Sequence, residues 1–351
     1  MSQTADEGPV VPPEPRRAQP RRRWLRRSLI AVSAVLVVAL VGVGAYAWTI
    51  NRQITSNIHR GIELPPADAP TATPGAPAPS GSPSVQQPRE TGVLNYVLLG
   101  SDSRDEADAA DGRSDTIMVV HLNKKRTKAY ITSFPRDMYV NIPGYGGNKI
   151  NAAFELGGPT LTVKTLQDLT GAHMDHVVLV DFEGFIDLTN DLGGVTVPNK
   201  TAFSSHGYDY PKGMVKIQGK KALWFVRERH ALPGGDLDRA ENQRDVIKAI
   251  VAKGLSAGVV SDPAKFSSFV GNLSKHLTVD NSLSDSEIRS TALSLRLDSS
   301  DIELLQAPLA GFSTANGQSI DVVDQARMAA LGKALRDDDM GAYLAKYPST
   351  S

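Results

Sequence analysis

An uncharged apolar segment near the N-terminus constrains the fold of this chain more than any other feature. Residues 29–48 contain no charged side chain, and a helix of that length, at about 1.5 Å per residue, just crosses a hydrocarbon core of roughly 30 Å. Arginines crowd positions 16–27, and basic residues beside a span stay on the cytoplasmic side. We therefore expect a single-pass protein of the cell membrane. A basic, disordered cytoplasmic tail (1–28) and a transmembrane helix (29–50) precede a region outside the cell.

The N-terminus has two other interpretations. Ala45-Tyr46-Ala47 has the small-residue form of a signal-peptide cleavage site, and a basic tail can also be a nucleic-acid-binding arm. The long tail and the length of the apolar segment favour an uncleaved anchor. The arginines stand directly before that segment, which favours a topology signal. We therefore expect a membrane partner and no nucleic acid.

The composition changes again around residue 91. Residues 65–90 are rich in Pro, Ala and Ser, a composition that stays extended and cannot bury a core. We expect an extracellular linker over 51–91, in which 52–64 briefly continue the helix, and a folded domain over 92–345. The chain has no cysteine, which excludes a disulfide framework, a thiolate nucleophile and a cysteine zinc site.

Strand and helix patterns alternate within the folded domain. Short apolar runs predict strands at 93–99, 116–122, 128–134, 176–180, 195–197 and 302–305. Amphipathic segments predict helices at 159–170, 182–192, 218–226, 238–256, 262–275 and 284–296, and a last strand and helix fall within 320–336. Strands that alternate with helices bury both faces of their sheet, so the pattern predicts one α/β domain.

Two aspartates stand at the ends of neighbouring predicted strands. Asp102 follows the strand 93–99, and Asp115 precedes the strand 116–122. If these strands pair antiparallel, both carboxylates lie at one edge of the sheet. There they can share Mg²⁺ together with phosphate oxygens of a substrate. The alternative is that both aspartates only cap turns.

Arginines gather at the ends of other predicted elements. Arg227 and Arg229 follow a helix, Arg136 follows a strand, and Arg239 and Gln243 share one face of the helix 238–256. The planar guanidinium binds phosphate oxygens bidentately, and the start of that helix offers free backbone N–H groups to an anion. The pattern indicates a phosphate site, and the alternative for each arginine alone is a surface ion pair.

Other catalytic motifs do not occur in the sequence. Gly234-Gly235-Asp236 lacks the Gly-Lys-Ser/Thr ending of a phosphate-binding loop. Ser101 and Ser103 do not stand in a Gly-x-Ser-x-Gly motif, and the histidines lack His-Glu-x-x-His spacing. Zinc is therefore not expected.

The order of short motifs along the chain resembles the LytR-CpsA-Psr family. The motifs are Leu-Leu-Gly-Ser-Asp-Ser-Arg (98–104), Gly-Arg-Ser-Asp-Thr (112–116), Pro-Arg-Asp (135–137), Lys-Ile-Asn-Ala-Ala (149–153), Leu-Gly-Gly-Val-Thr-Val (192–197), Arg-Glu-Arg (227–229) and Gly-Asp-Leu-Asp-Arg (235–239). The basic tail, the single anchor and the domain that follows are also similar to that family.

The resemblance implies a fold and a function. The fold is a three-layer α/β/α sandwich with a central mixed sheet and a lipid-lined groove. The function is that of a phosphotransferase-type ligase with Mg²⁺ or Mn²⁺ as cofactor. It transfers an anionic or secondary glycopolymer, such as teichoic acid, from a polyprenyl-pyrophosphate carrier to peptidoglycan. The acceptor is usually the 6-hydroxyl of N-acetylmuramic acid, and the product is a phosphodiester.

The resemblance also implies roles for individual residues. Asp102 and Asp115 match the metal-binding aspartates. Arg113, Arg136, Arg227, Arg229, Arg239 and Gln243 match the positions that hold the pyrophosphate, and Lys149 and Asp236 match polar positions of the same site. Asp102, Asp115, Arg113, Arg136 and Asp236 are thereby expected to be catalytic.

One position departs from the family pattern. Asn242 stands where many members have arginine, which removes one positive charge from the implied site. The adjacent Arg244 is expected to replace that charge in part, although its side chain points elsewhere on the helix.

The sequence leaves several questions open. Either Asp102 or Asp236 is expected to act as the general base for the acceptor hydroxyl. Apolar walls for the polyprenyl chain are expected from Val178, Leu179, Phe182, Phe185, Ile186, Trp224 and Phe225, although each of these residues taken alone is better explained as a core residue. A hydrolase acting on the same carrier and a non-catalytic envelope regulator that binds lipid-linked precursors are the alternative functions.

Overall fold

The computed structural model describes residues 58–65, 92–101, 114–256 and 262–348. The strands are, in chain order, β1 (His59–Ile62), β2 (Leu94–Ser101), β3 (Ser114–Leu122), β4 (Ala129–Ser133), β5 (Met138–Ile142), β6 (Gly146–Lys149), β7 (His176–Asp181), β8 (Val195–Asn199), β9 (Phe203–Ser205), β10 (Tyr208–Tyr210), β11 (Gly213–Ile217), β12 (Thr278–Asp280), β13 (Ile302–Gln306), β14 (Leu309–Ala315) and β15 (Gln318–Val323). The helices are α1 (Ala152–Thr170), α2 (Phe182–Asp191), α3 (Gly219–Arg227), α4 (Asp236–Gly254), α5 (Pro263–Lys275), α6 (Asp285–Ser294), α7 (Gln325–Asp337) and α8 (Met340–Lys346).

A seven-stranded mixed sheet organises this part of the chain. Its strand order is β1-β12-β7-β2-β3-β4-β13. The central strand β3 is antiparallel to both of its neighbours, β2 and β4, whereas β7 is parallel to β2 and β13 is parallel to β4. A four-stranded sheet (β14-β15-β5-β6) and two small hairpin pairs complete the strands described. The antiparallel pairing of 93–99 with 116–122, on which the shared position of Asp102 and Asp115 depends, is present.

Helices cover both faces of the seven-stranded sheet. On β2, Val97 and Leu99 pack in a core with residues of α1 and α7, while Leu98 packs on the opposite face against Ile247 of α4. This alternation follows from the period of two residues in a strand. The predicted α/β fold with a central mixed sheet is confirmed.

A second core lies beside the sheet. Residues from α2, α3, α4, β8 and β11 form it, with Phe225 and Val246 at most 1% exposed. The apolar residues of the predicted amphipathic helix 238–256 therefore pack against two different cores. Val246 and Ile250 face this core, whereas Ile247 faces the sheet.

The predicted linker boundary is wrong at residues 59–62. These residues form β1, which pairs in parallel with β12 and carries the buried Ile62 into the main core. The expected short helix over 52–64 is also contradicted there. The apolar Ile62 alone gives no strand pattern in a four-residue segment. The partner strand β12 lies more than 200 residues further along the chain, so local propensity does not reveal this pairing.

Several short strands escaped prediction because their sequences are polar or rich in glycine. β6 reads Gly-Gly-Asn-Lys and is almost entirely exposed. None of the helices in the described ranges combines the length and apolar character needed to span a bilayer. The predicted anchor at 29–50 and the predicted tail at 1–28 lie outside those ranges.

Candidate functional site

A β-bulge at the edge of the sheet presents Asp115. Gly100 pairs with Thr116 and Ser101 pairs with Ser114, so Asp115 is the extra residue on β3. A bulge leaves its extra residue unpaired and re-aims the side chain. The close approach of the strands requires glycine at position 100, because an added Cβ would lie 2.9 Å from the Cβ of Thr116. Asp115 thus projects from the edge of the sheet where β2 ends and β3 begins.

Arg136 joins two carboxylates that come from distant parts of the chain. Its Nη1 donates to Asp115 Oδ1 at 2.8 Å, and its Nε donates to Asp236 Oδ2 at 2.9 Å. The Arg136 side chain is only 18% exposed, so these charge-assisted hydrogen bonds are shielded from water. Arg136 thereby fixes the start of α4 against the edge of the sheet.

Asp236 is surrounded by three arginines. In addition to Arg136, Nη1 of Arg239 lies 3.4 Å and Nη1 of Arg229 lies 3.5 Å from Asp236 Oδ1. Burial alone raises the pKa of this carboxyl, but the charges of Arg239 and Arg136 outweigh that effect and hold the pKa below its usual range. Asp236 is therefore ionised and is a weak proton acceptor in this arrangement.

The turn before α4 places Arg239 beneath the cluster. Gly235 has φ of 57°, a left-handed conformation that favours glycine, and Gly234 N donates to Asp238 Oδ2 at 2.8 Å. The Arg239 side chain is 6% exposed, and its Nε is buried without a hydrogen-bond partner among the described residues. A buried, unsatisfied guanidinium N–H is costly unless an acceptor completes it. The position therefore suits an anionic ligand.

Arg227 and Gln243 extend the cationic site toward an apolar cavity. The Arg227 guanidinium lies over the ring of Phe182 at 4.4 Å and that of Trp224 at 5.2 Å. Gln243 Nε2 donates to the Val226 carbonyl at 3.2 Å. Glu228, between Arg227 and Arg229, accepts hydrogen bonds from the backbone N–H groups of residues 229–231.

The cavity beside these residues has a polar mouth and apolar walls. Asp115, Thr116, Arg227, Arg239 and Gln243 line it together with the backbone at Gly100. The apolar lining comes from Leu98, Leu99, Val180, Phe182, Phe185, Leu188, Leu223, Val226, Val246, Ile247 and Ile250. Its volume is about 90 Å³, which is less than the roughly 150 Å³ of a cavity that accommodates benzene. The site therefore suits a ligand with an anionic head and an apolar tail, and a long tail requires the walls to separate.

The predicted apolar walls are right only in part. Phe182 and Phe185 line the cavity. Phe225 is fully buried in the second core, and Leu179 lines a different groove. The missed wall residues include Val246, Ile247 and Ile250 on α4. Their spacing of three and four residues was visible in the sequence as a helix stripe.

Lys149 lies at the margin of the cluster. Its Nζ is 2.8 Å from Asp137 Oδ1, and Asp137 Oδ2 is 3.9 Å from Arg136 Nε. Asp321, on β15, is 7% exposed. Burial and the charges of Asp137 and Asp236 raise the pKa of Asp321 to about 6, against the effect of Lys149. No motif marks Asp321 in the sequence, and only its parallel pairing beside Met138 brings it here.

Most of the predicted site residues come together. Asp115, Arg136, Arg229, Asp236 and Arg239 form one contact network. Arg227 and Gln243 line the same cavity as Asp115 and Arg239, and Lys149 is connected through Asp137. Asp102 and Arg113 lie outside the described residues, next to the paired Ser101 and Ser114.

Arg244 does not supply the charge missing at Asn242. Its Nη1 donates to the Ser133 hydroxyl in the interior, and Arg244 is absent from the lining of the cavity. Asn242 is itself 8% exposed, and its side-chain N–H₂ has no hydrogen-bond partner within the part of the chain that the structure describes. The Arg244 side chain is therefore turned into the interior, and neither Arg244 nor Asn242 lines the cavity that Arg239 and Gln243 line.

Asp115 could contribute one ligand to a divalent cation that is shared with a substrate. Within the described ranges, no group of three or more His, Cys, Asp or Glu side chains could hold a metal ion. Mg²⁺ commonly uses only one or two carboxylates and completes its shell with water and substrate phosphates. Arg136 engages Asp115 through Oδ1, and Oδ2 is the oxygen that remains for a cation.

Comparison with known proteins identifies the family of this chain. A model of the LytR_cpsA_psr family matches residues 70–337. The polyisoprenyl-teichoic acid–peptidoglycan teichoic acid transferase TagU of Oceanobacillus iheyensis is 37% identical over 190 residues, which cover 52% of this chain and 58% of that relative. The protein of the same name from Enterococcus faecalis is 33% identical over 245 residues, which cover 70% of this chain and 79% of that relative.

Solved structures share the fold. The structure of TagT bound to LIIa-WTA aligns with a TM-score of 0.57 and 27% identity, covering 80% of this chain and 100% of that chain. The family resemblance carried by the short motifs is confirmed, because the family model spans more than half of the chain. The chain therefore belongs to the LytR-CpsA-Psr family.

Proposed function

We propose that this protein transfers an anionic or secondary glycopolymer from a polyprenyl-pyrophosphate carrier to peptidoglycan. One observation carries the proposal: Arg227, Arg239, Gln243 and Asp115 line a cavity whose other lining residues are mostly apolar. A polyprenyl pyrophosphate has the matching chemistry, an anionic head on an apolar chain. The TagU relatives, named as teichoic acid transferases to peptidoglycan, support the same reaction class.

The reaction is a phosphoryl transfer at the phosphorus next to the glycan. The 6-hydroxyl of N-acetylmuramic acid attacks that phosphorus, a new P–O bond forms, and the bond to the bridging oxygen breaks. The products are a phosphodiester between glycopolymer and peptidoglycan and a polyprenyl phosphate. Negative charge grows on the leaving phosphate, and the guanidiniums of Arg227 and Arg239 are placed to stabilise it.

Arg136 and Asp236 organise the site in this proposal. Because Arg136 is held by both Asp115 and Asp236, its remaining N–H groups have a fixed direction, which reduces reorganisation during the reaction. Of the two candidate bases, Asp236 is disfavoured by its lowered pKa. Asp102 remains the proposed acceptor of the hydroxyl proton.

A divalent cation, Mg²⁺ or Mn²⁺, belongs to the proposal. Asp115 and Asp102 are the residues that would hold it, and Arg113 and Lys149 complete the proposed phosphate contacts. When bound, such a cation neutralises developing charge on phosphate oxygens.

The proposal includes a location. A helix over 29–50 would anchor the protein in the cell membrane, with the N-terminus cytoplasmic and the catalytic domain outside the cell. The carrier lipid lies in the same membrane, so the anchor would keep the catalytic domain close to its donor. The long uncharged segment and the preceding arginines support this orientation.

The test is transfer by the purified full chain in nanodiscs. The reaction contains a lipid-pyrophosphate-linked glycan and uncross-linked peptidoglycan oligomers, with Mg²⁺ or with EDTA. We expect metal-dependent attachment that is lost in Asp115→Asn and reduced in Arg239→Gln, while the exposed Lys212→Gln control retains wild-type activity. Attachment that is unaffected in Asp115→Asn and by EDTA would contradict the proposed site. Binding of the donor without turnover would instead favour a regulator.

A further inference from the structure

A second and larger cavity opens on the α1 side of the seven-stranded sheet. Its volume is about 780 Å³, within the range of about 300–1,000 Å³ that is usual for ligand sites. Its walls come from β1, from residues 159–160 of α1, from the first turns of α2 and from residues 275–278. We call this cavity the polar groove. Its lining includes Arg60, Glu63, Glu183, Asp187, Lys275 and His276.

The polar groove ends next to the phosphate site. Asp181 lines both the groove and the apolar cavity, and it pairs with Ser101 across β7 and β2. Ser101 in turn pairs with Ser114, which precedes Asp115. Because neighbouring strands lie about 4.8 Å apart, β7 and β3 are separated by about 10 Å at this edge. A chain of sugars in the groove therefore has its end within reach of the reacting phosphorus.

The side chains of the groove favour a neutral polar ligand. Glu183 and Asp187 are exposed on the first turns of α2, and Asp181 uses Oδ1 to accept from Gly184 N at 2.6 Å. Carboxylates accept hydrogen bonds from hydroxyl and amide N–H groups. Of the cations, Arg60 is engaged with Asp285 and the Leu283 carbonyl. Lys275 donates to the Asn272 side chain. The four carboxylates that line the groove (Glu63, Asp181, Glu183 and Asp187) outnumber Arg60 and Lys275, and this excess of negative charge repels a polyanion.

We propose that the polar groove binds the glycan backbone of peptidoglycan, the acceptor of the transfer. This inference rests on the proposed function and specifies where its second substrate lies. The glycan backbone offers hydroxyl and acetamido groups, which match the carboxylates, and it lacks the repeating negative charge of an anionic donor polymer. The floor formed by Ile62, Leu179 and Leu277 supplies apolar contact for sugar rings.

β1 ties the groove to the N-terminal segment of this chain. Residues 59–62 form one wall, and they precede the 70–337 range matched by the family model. The Thr160 hydroxyl donates to the Glu63 carbonyl at 2.6 Å and joins that wall to α1. The acceptor site therefore depends on a strand that lies between the predicted anchor and the proline-rich segment.

The test measures the two substrates separately, with the full chain in nanodiscs. The variants are Glu183→Gln, Asp187→Asn and the double variant, each compared with wild type. The KM for the acceptor is measured by varying the concentration of peptidoglycan oligomers at saturating donor. The KM for the donor is then measured by varying the donor at saturating peptidoglycan oligomers. Losing two hydrogen-bonding charges should raise the KM for the acceptor about tenfold in the double variant, while the KM for the donor stays within about twofold. Glu303→Gln, at the opposite edge of the sheet, should change neither.

A binding measurement separates this inference from the proposed function. Peptidoglycan oligomers are titrated into the Asp115→Asn chain and into the same chain carrying the two groove substitutions. Weaker binding in the latter supports the groove whether or not transfer is observed. Equal binding, an unchanged KM for the acceptor, or an effect confined to the KM for the donor would overturn the groove. Absence of transfer by the wild type would count only against the proposed function.

Discussion

Arg136 Nε and Asp236 Oδ2 lie 2.9 Å apart, although the two residues are separated by 100 positions in the sequence. The same guanidinium reaches Asp115 through Nη1. This bridge joins the edge of the seven-stranded sheet to the first turn of α4, and it brings the carboxylate and arginine clusters into one site.

Replacing Arg136 by lysine should break that bridge without removing its charge. An ammonium is a point donor and cannot reproduce the planar fork that serves both carboxylates. We expect kcat to fall by about 10²-fold, as for loss of a preorganised donor in other enzymes, with the Tm little changed. The measurement is the initial rate of glycan attachment, with Lys212→Arg as the control. A rate within threefold of wild type would show that the bridge is dispensable.

Asp321 should make the stability of the domain depend on pH. Its pKa is raised from 3.8 to about 6 by burial and by the charges of Asp137 and Asp236. Between about pH 4 and 6, the Asp321 carboxyl is therefore protonated in the folded state and ionised in the unfolded state. The contribution of protonated Asp321 to the free energy of unfolding is fully present below about pH 4 and is lost as the pH rises through about 6.

The Asp321→Asn variant should remove this dependence. Relative to wild type, it should become more stable as the pH rises from 4 to 6.5, with a limiting slope of about 1.4 kcal/mol per pH unit. Urea unfolding at several pH values measures the difference, and Glu303→Gln controls for loss of an exposed carboxylate. A difference in unfolding free energy that stays constant with pH would refute the assignment.

Narrowing the apolar cavity should discriminate between donors by chain length. Ile247 lines the cavity, whereas Val251, one helical turn further along α4, does not. We expect Ile247→Trp to lower kcat/KM for a long polyprenyl donor at least tenfold more than for a short-chain analogue, and Val251→Trp to lower both equally. Overpacking a core typically lowers the free energy of unfolding by about 1–3 kcal/mol. Thermal unfolding of both variants measures this loss of stability, so that it can be separated from an effect on donor binding. Equal losses with both donors in Ile247→Trp would argue against a tail in this cavity.

Ile62 should be a core residue of the domain despite its position before the proline-rich segment. Its side chain is 7% exposed and packs in the main core. We expect Ile62→Ala to lower the free energy of unfolding by about 2–4 kcal/mol, while Glu63→Ala, at an exposed neighbour, changes it by less than about 0.5 kcal/mol. Urea unfolding of the full chain in detergent measures both. Equal small effects would place β1 outside the cooperative unit.

Elements with a strong local pattern could be predicted from the sequence, and those that depend on distant partners could not. The stripe on α4 and the apolar run of β2 have the periods of a helix and a strand, and both form as expected. β1 escaped because its partner β12 is remote. The contact of Arg136 with Asp236 could not be derived from spacing alone, since the sheet edge and α4 meet only in the folded domain.

The site shows the same division. The types and order of Asp115, Arg136, Arg227 and Arg239 in the sequence indicate a phosphate site. Asp321 carries no motif, and its raised pKa comes from burial beside two other carboxylates. The bulge that projects Asp115 follows from the register of β2 and β3, which a single strand does not specify.

The fate of the phosphate next to the glycan tests the central claim most directly. A donor is labelled with ³²P at that phosphate and incubated with the full chain, Mg²⁺ and peptidoglycan oligomers. Transfer predicts that the label enters peptidoglycan as a phosphodiester, with one unlabelled polyprenyl phosphate released for each label attached. Label released as a soluble glycan phosphate, with none in peptidoglycan, would contradict the ligase and identify a hydrolase.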